Sequence, residues 1–172
     1  IMFDNDMRPQ PHLAESIERI DDVTWEIKLK EGITWSDGEP FTADDVVFNN
    51  ERAKSGELQS ASPTTRQLLD KTFEAVDDTT VRVTTDNPAP LTITELTYTP
   101  MVSRHVGEGA TTDDYNAGDA VVGTGPYTLV EWVPGDRLVL DRNENYWGEA
   151  PEWDRIIYTP ITSGPTRIAA LL

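Results

Sequence analysis

The run from residue 30 to 53, KEGITWSDGEPFTADDVVFNNERA, constrains this chain more than any other stretch. It reads as the end of a strand, a turn, a short buried connector and a capped helix, in that order. Ser36-Asp37-Gly38 supplies the turn, with Gly38 free to adopt positive φ. Phe41 enters the next element. Thr42 stands where a helix N-cap belongs and Asp45 follows three residues later, a T-x-x-D form of the capping box. Asp44 and Asp45 fall in the first turn, at the positive end of the helix dipole. Ala43, Val46, Val47 and Ala53 recur near one face at helical spacing, and Asn49, Glu51 and Arg52 fall off it. The pattern predicts a helix over 43–53 with Asn49 outside its buried face.

The flanking chain predicts a mixed α/β arrangement. Pro9 and Pro11 mark an extended segment and Asp21-Asp22 a turn. Residues 24–30 alternate, with Trp25, Ile27 and Leu29 on one side and Glu26, Lys28 and Lys30 on the other, as in a half-buried strand. Residues 54–61 read as a polar loop, and Ser62-Pro63 as the start of a short helix through Leu68 and Leu69. Residues 73–76 and 80–85 pair as strands across an Asp77-Asp78 turn. Asn87-Pro88-Ala89-Pro90 breaks the chain, 91–97 is a short helix, and 98–102 is extended across Pro100. Residues 107–120 are loop-like, with a helical turn at 113–116. Strands over 127–133 and 137–142 meet at the hairpin signal Pro134-Gly135-Asp136. A strand over 155–161 precedes a helix opened by Ser163-Gly164-Pro165. There are no internal repeats.

Composition removes several functions. The 172 residues suffice for one domain with a core, and 37% hydrophobic against 26% charged residues argues for a folded chain. No apolar run approaches the ~20 residues of a membrane span. Ile1-Met2-Phe3-Asp4 carries no signal-peptide pattern, which fits a piece of a longer precursor. The 31 acidic against 14 basic residues give a formal charge of −17, which repels nucleic acid and anionic lipid and suits high solubility or a salty medium. Without cysteine there is neither a disulfide nor thiol chemistry.

Candidate chemistry is sparse. Gly123-Thr124-Gly125 lacks the lysine of a phosphate loop and leads into a strand, so no nucleotide is expected. The pairs Asp21-Asp22, Asp44-Asp45, Asp77-Asp78 and Asp113-Asp114 lack calcium-loop spacing and sit at turns or helix starts. His12 and His105 have no second nitrogen or sulfur ligand nearby in sequence. Ser103 lies two residues before His105 without a nucleophile elbow. Neither a catalytic set, a metal site nor a cofactor is expected.

Two blocks carry a resemblance. Leu29-Lys30-x-Gly32, an aromatic, then Ser36-Asp37-Gly38-x-Pro40-Phe41-Thr42-Ala43-Asp44-Asp45-Val46-Val47-Phe48 resembles the signature of the peptide/nickel class (family 5) of extracytoplasmic solute-binding proteins, which serve ATP-binding-cassette importers. Gly123-Thr124-Gly125-Pro126-Tyr127, Arg142-Asn143 and Tyr146-Trp147-Gly148 form a second similar block, and residues 54–120 match loosely. In physical terms Tyr146 and Trp147 are read as packing aromatics that cover an apolar sheet edge.

The resemblance implies an incomplete α/β fold, periplasmic-binding-protein-like of type II. Residues 1–119 would form the small β-rich subdomain, and residues 120–172 a partial return into the main lobe, truncated at its C-terminus. The two similar blocks should fold upon each other. The implied function is non-enzymatic capture of a peptide-like or other small polar solute between two lobes, for importer permease subunits. A monomer is expected, periplasmic or extracytoplasmic, with membrane attachment through a region before Ile1 compatible with that. The segment 95–102 corresponds to a family loop near the cleft, which makes Tyr98 and Thr99 candidate ligand contacts, with Ser62 in the loop 62–64 a weaker third. A tyrosine there stacks and hydrogen-bonds with little entropy to lose. The rivals are a sensor or interaction module on the same scaffold and a hydrolase using an acidic pair. The isolated chain should bind weakly or not at all, because the opposing lobe is absent.

Overall fold

The structure, a computed structural model, describes residues 1–55 and 67–171. A two-stranded ribbon, β1 (Met2–Phe3) and β2 (Pro9–Gln10), precedes a four-stranded antiparallel sheet. That sheet contains β3 (Ala14–Arg19), β4 (Thr24–Leu29), β5 (Lys71–Asp77) and β6 (Thr80–Thr85), in the spatial order β3-β4-β6-β5.

The turns are built by aspartates that accept backbone N–H groups. Asp21 takes Val23 N–H at 2.8 Å between β3 and β4, and Asp77 takes Thr79 N–H at 2.8 Å between β5 and β6. The alternation in β4 holds: Trp25, Ile27 and Leu29 are buried, while Glu26 faces Arg82 of β6 at 3.1 Å. β3 is an added strand. Its sequence, AESIER, alternates poorly, and cross-strand pairing with the strongly patterned β4 decides its conformation.

Helix α1 (Ala43–Lys54) packs on β5 and β6 and shares their core with Trp35, Phe41, Val81 and Val83. Trp35 is fully buried and edge-on to Phe41 at 5.4 Å between centroids. The Asp45 carboxylate returns to Thr42 N–H at 2.9 Å, as the capping pattern requires. Asn49 departs from expectation: it is 8% exposed, beside Asn50 at 3%, so the inner face of α1 carries amides among its apolar residues.

Three short helices follow: α2 (Thr92–Leu96), α3 (Arg104–Gly107) and α4 (Thr112–Ala117). Of these, α3 was hidden by its length, and α4 extends the expected turn because Thr111 and Asp114 cap it reciprocally. The helix expected from Ser62 begins outside the described residues, and residues 67–70 form a turn, so Leu68 and Leu69 are not helical.

A second antiparallel sheet has the order β7-β8-β9, from β7 (Tyr127–Val133), β8 (Arg137–Arg142) and β9 (Arg155–Tyr158). The hairpin turns at Gly135, whose φ of 81° suits glycine. β9 stops earlier than expected, ahead of Pro160, which has no N–H to continue a ladder. Helix α5 (Gly164–Ala170) ends the described chain. Register places Leu129, Leu140 and Ile156, and then Trp132, Leu138 and Tyr158, on one face, an apolar surface on which Trp132 and Tyr158 remain exposed.

The two sequence blocks do fold upon each other. Ser36 N–H donates to Gly123 C=O at 2.9 Å, and Asn145 Nδ2 donates to Ser36 C=O at 3.2 Å. Trp147 Nε1 donates to Thr124 C=O at 3.1 Å while Lys30 Nζ lies 4.7 Å from its ring centroid. Asn143, 3% exposed, closes the second block on itself by donating Nδ2 to Gly125 C=O at 2.8 Å.

Candidate functional site

Beyond α2 the chain runs without regular structure from residue 97 to 103, over a hollow of about 400 Å³. Its floor is the apolar face of the four-stranded sheet, with Ile27, Leu29 and Phe73, joined by Phe41 and Val46. Tyr98 and Thr99 both line it. Tyr98 stands at the lip, 48% exposed, with its ring edge-on to Phe3 at 5.4 Å. An exposed aromatic over an apolar hollow offers stacking area and a free hydroxyl. Thr99 is half-buried, and its hydroxyl is buried without a hydrogen-bond partner among the described residues. Ser62 lies outside the described residues, so the three candidates reduce to two that the structure brings together.

The hollow is suited to holding a molecule by contact and hydrogen bonds. Among the described residues no carboxylate lines it. His12 also lines it, edge-on to Trp147 at 5.0 Å. Burial pushes the His12 pKa below its ordinary value, and the nearby Lys30 charge acts in the same direction. The acidic pairs are taken up by structural tasks, although Ala43 N–H donates to Asp78 C=O at 2.9 Å and so sets the start of α1 against the Asp77-Asp78 turn. Asp21, Asp77 and Asp114 serve turns or caps, and Asp45 is committed inside the protein.

One juxtaposition was not legible in the spacing. Ser103 Oγ lies 2.6 Å from His105 Nδ1, and His105 Nε2 lies 2.6 Å from Asp37 Oδ2. Asp37 is distant in sequence, so only the fold reveals the pairing. Ser103 is 2% exposed and does not line the hollow, so its hydroxyl lies away from the candidate ligand contacts. The arrangement ties the Ser36-Asp37-Gly38 turn to α3.

The fold is that of type II periplasmic-binding-protein-like solute receptors, represented here in part. The chain belongs to the family described as bacterial extracellular solute-binding proteins, family 5 middle, which it matches over residues 8–172. It is 33% identical to the glutathione-binding protein GsiB of Pectobacterium atrosepticum, over 98% of this chain and 33% of the relative. It is 31% identical to the periplasmic oligopeptide-binding protein OppA of Escherichia coli, over 98% of this chain and 34% of the relative. NikZ of Campylobacter jejuni, solved in complex with Ni(L-His), superposes with a TM-score of 0.88 at 28% identity, over 98% of this chain and 34% of that one. The chain thus spans about a third of the length of these relatives.

Proposed function

We propose that the protein carrying this chain captures a peptide-like or other small polar solute outside the membrane and hands it to an ATP-binding-cassette importer. Tyr98 and Thr99 contribute ligand contacts from the small-subdomain side. Family membership supports capture, and the single observation that supports the site is the exposed Tyr98 ring at the lip of an apolar hollow. Residues 1–119 form the small subdomain and 120–172 a partial return into the main lobe. In support, the four-stranded sheet and its core lie within the first range, and the open apolar face of β7-β8-β9 lies within the second. Binding is non-covalent and no chemistry follows it. The working unit is a monomer that meets permease subunits in a periplasmic or extracytoplasmic compartment. Among the described residues no helix is long and apolar enough to cross a membrane.

Closure of an opposing lobe over the hollow would exchange solvent for backbone hydrogen bonds and side-chain contacts. Calorimetric titration of the whole protein with trialanine, reduced glutathione and Ni(L-His) tests this. At least one should bind, Tyr98→Ala should weaken it about tenfold or more, and the 172-residue chain alone should bind weakly or not at all. Equal affinities for the whole protein and its Tyr98→Ala variant refute the assigned contact.

A further inference from the structure

Helix α1 buries more polarity than its cap requires. Asp45, Asn49 and Asn50 are 5%, 8% and 3% exposed, and burying such groups is unfavourable unless they are hydrogen-bonded. Asn49 meets Val102 as a strand partner would. Its Oδ1 accepts Val102 N–H at 3.0 Å and its Nδ2 donates to Val102 C=O at 2.8 Å, with a further bond to Asp45 C=O at 2.8 Å. The reversed amide would set donor against donor and acceptor against acceptor, so this orientation is the only one that fits. Two residues on, Arg104 N–H donates to Asp45 Oδ1 at 2.9 Å.

Asn50 reaches the other way, donating to the carbonyls of Leu68 at 3.0 Å and Lys71 at 3.2 Å. Lys71 is 1% exposed, and its ammonium meets Gln67 C=O at 2.6 Å, Asp70 at 2.9 Å and Glu95 Oε2 at 2.6 Å. Glu95 belongs to α2, and its carbonyl accepts Tyr98 N–H at 3.1 Å. Helix α1 therefore holds the chain beyond Thr99 directly, through Asn49 and Asp45, and the chain before Tyr98 at one remove, through Asn50, Lys71 and Glu95.

We propose that α1 is a bracket for residues 97–101 and that Asn49 is a positioning residue for the ligand contacts assigned above. The inference rests on that assignment. Pinning both ends leaves Tyr98 at the lip with little freedom to lose, which lowers the ordering cost of binding. A loosened segment would have to be reordered by each ligand.

The test compares Asn49→Leu with Val83→Ala in the whole protein. Leucine keeps the bulk and removes both polar arms, and Val83 is fully buried in β6 and serves as a purely structural control. Hydrogen exchange should quicken about tenfold at Val102 in Asn49→Leu beyond what an equally destabilised Val83→Ala shows. Affinity for whichever of trialanine, reduced glutathione and Ni(L-His) the unsubstituted protein binds should fall roughly three- to tenfold, in Asn49→Leu alone. Equal exchange in the two variants overturns the bracket. Faster exchange with unchanged affinity overturns the positioning role. If the unsubstituted protein binds none of the three probes, the capture reading fails while exchange still decides the bracket. Should Asn49→Leu fail to accumulate, Asn49→Ser, which shortens the arm without adding apolar bulk, carries the same comparison.

Discussion

Two adjacent aspartates should behave very differently when removed. Asp45 is 5% exposed and accepts three donors: Thr42 N–H at 2.9 Å, Arg104 N–H at 2.9 Å and Trp35 Nε1–H at 3.3 Å. Alanine at position 45 leaves these without their acceptor in a site closed to water, at about 1–3 kcal/mol each. Relaxation of the loop lowers the total to about 3–5 kcal/mol, a large share of the roughly 5–15 kcal/mol that stabilises a typical domain. Asparagine keeps one acceptor oxygen, so Asp45→Asn can retain the Thr42 and Trp35 arms and lose the Arg104 arm, for about 1–2 kcal/mol. Asp44 instead shows a 58% exposed side chain, with Arg104 at 3.5 Å. Such a pair contributes between about 0 and 1 kcal/mol. Urea unfolding of the whole protein, followed by tryptophan fluorescence, orders the variants: Asp45→Ala lowest, Asp45→Asn intermediate, Asp44→Ala near the unsubstituted midpoint. If Asp45→Ala and Asp44→Ala coincide, the buried carboxylate does not hold the α1 cap to the 102–104 segment and the reasoning fails.

The junction between the two blocks is tested by Trp147→Phe, which removes the indole N–H bond to Thr124 and weakens the Lys30 contact. It should cost about 1–2 kcal/mol in the same unfolding assay, and an unchanged midpoint contradicts the tie. Gly38 sits at φ 94°, and an added Cβ there would meet only Asn145 Nδ2, at an unstrained 3.9 Å. Gly38→Ala should therefore cost about 1–2 kcal/mol from backbone strain alone. Gly123→Ala, without that conformation, should be nearly neutral in the same assay. Acid should destabilise the protein in a defined window. Asp21, Asp77 and Asp114 are held below the usual carboxylate range, first by hydrogen bonds from Val23 N–H, Thr79 N–H and the Thr111 hydroxyl respectively. Glu131 and Asp141 are held down by hydrogen bonds from Arg137 and Arg155. Their contribution is complete above the ordinary values of 3.8 and 4.5 and fades as pH falls through the lower folded values. A thermal midpoint that stays level from pH 5 to about 2 contradicts these shifts.

Much of the scaffold was legible because its signals are local. The T-x-x-D cap, the alternation of β4 and the Pro134-Gly135-Asp136 turn act within a few residues, and each element appears where its pattern lies. What stayed hidden depends on partners far along the chain. β3 is a strand because β4 pairs with it, and Asn49 is buried because Val102 needs a partner, which helical spacing of apolar residues cannot register. Asp37 and His105 meet only once the turn and α3 are folded together. Of the site, the family likeness pointed to Tyr98 and Thr99 through their place in the loop. The hollow beneath them combines residues from β4, β5, α1 and α2, so no single stretch could announce it. An asparagine inside a helix is a weak helix former, and that cost was the one sequence signal for the role of Asn49.

The most direct measurement is a crystal structure of the whole protein with its bound solute. Tyr98 or Thr99 should lie within about 4 Å of the ligand, with Val102, just past the 97–101 segment, still bonded to Asn49. A solute enclosed elsewhere, with both side chains out of contact and the hollow closed by polypeptide, would contradict the account.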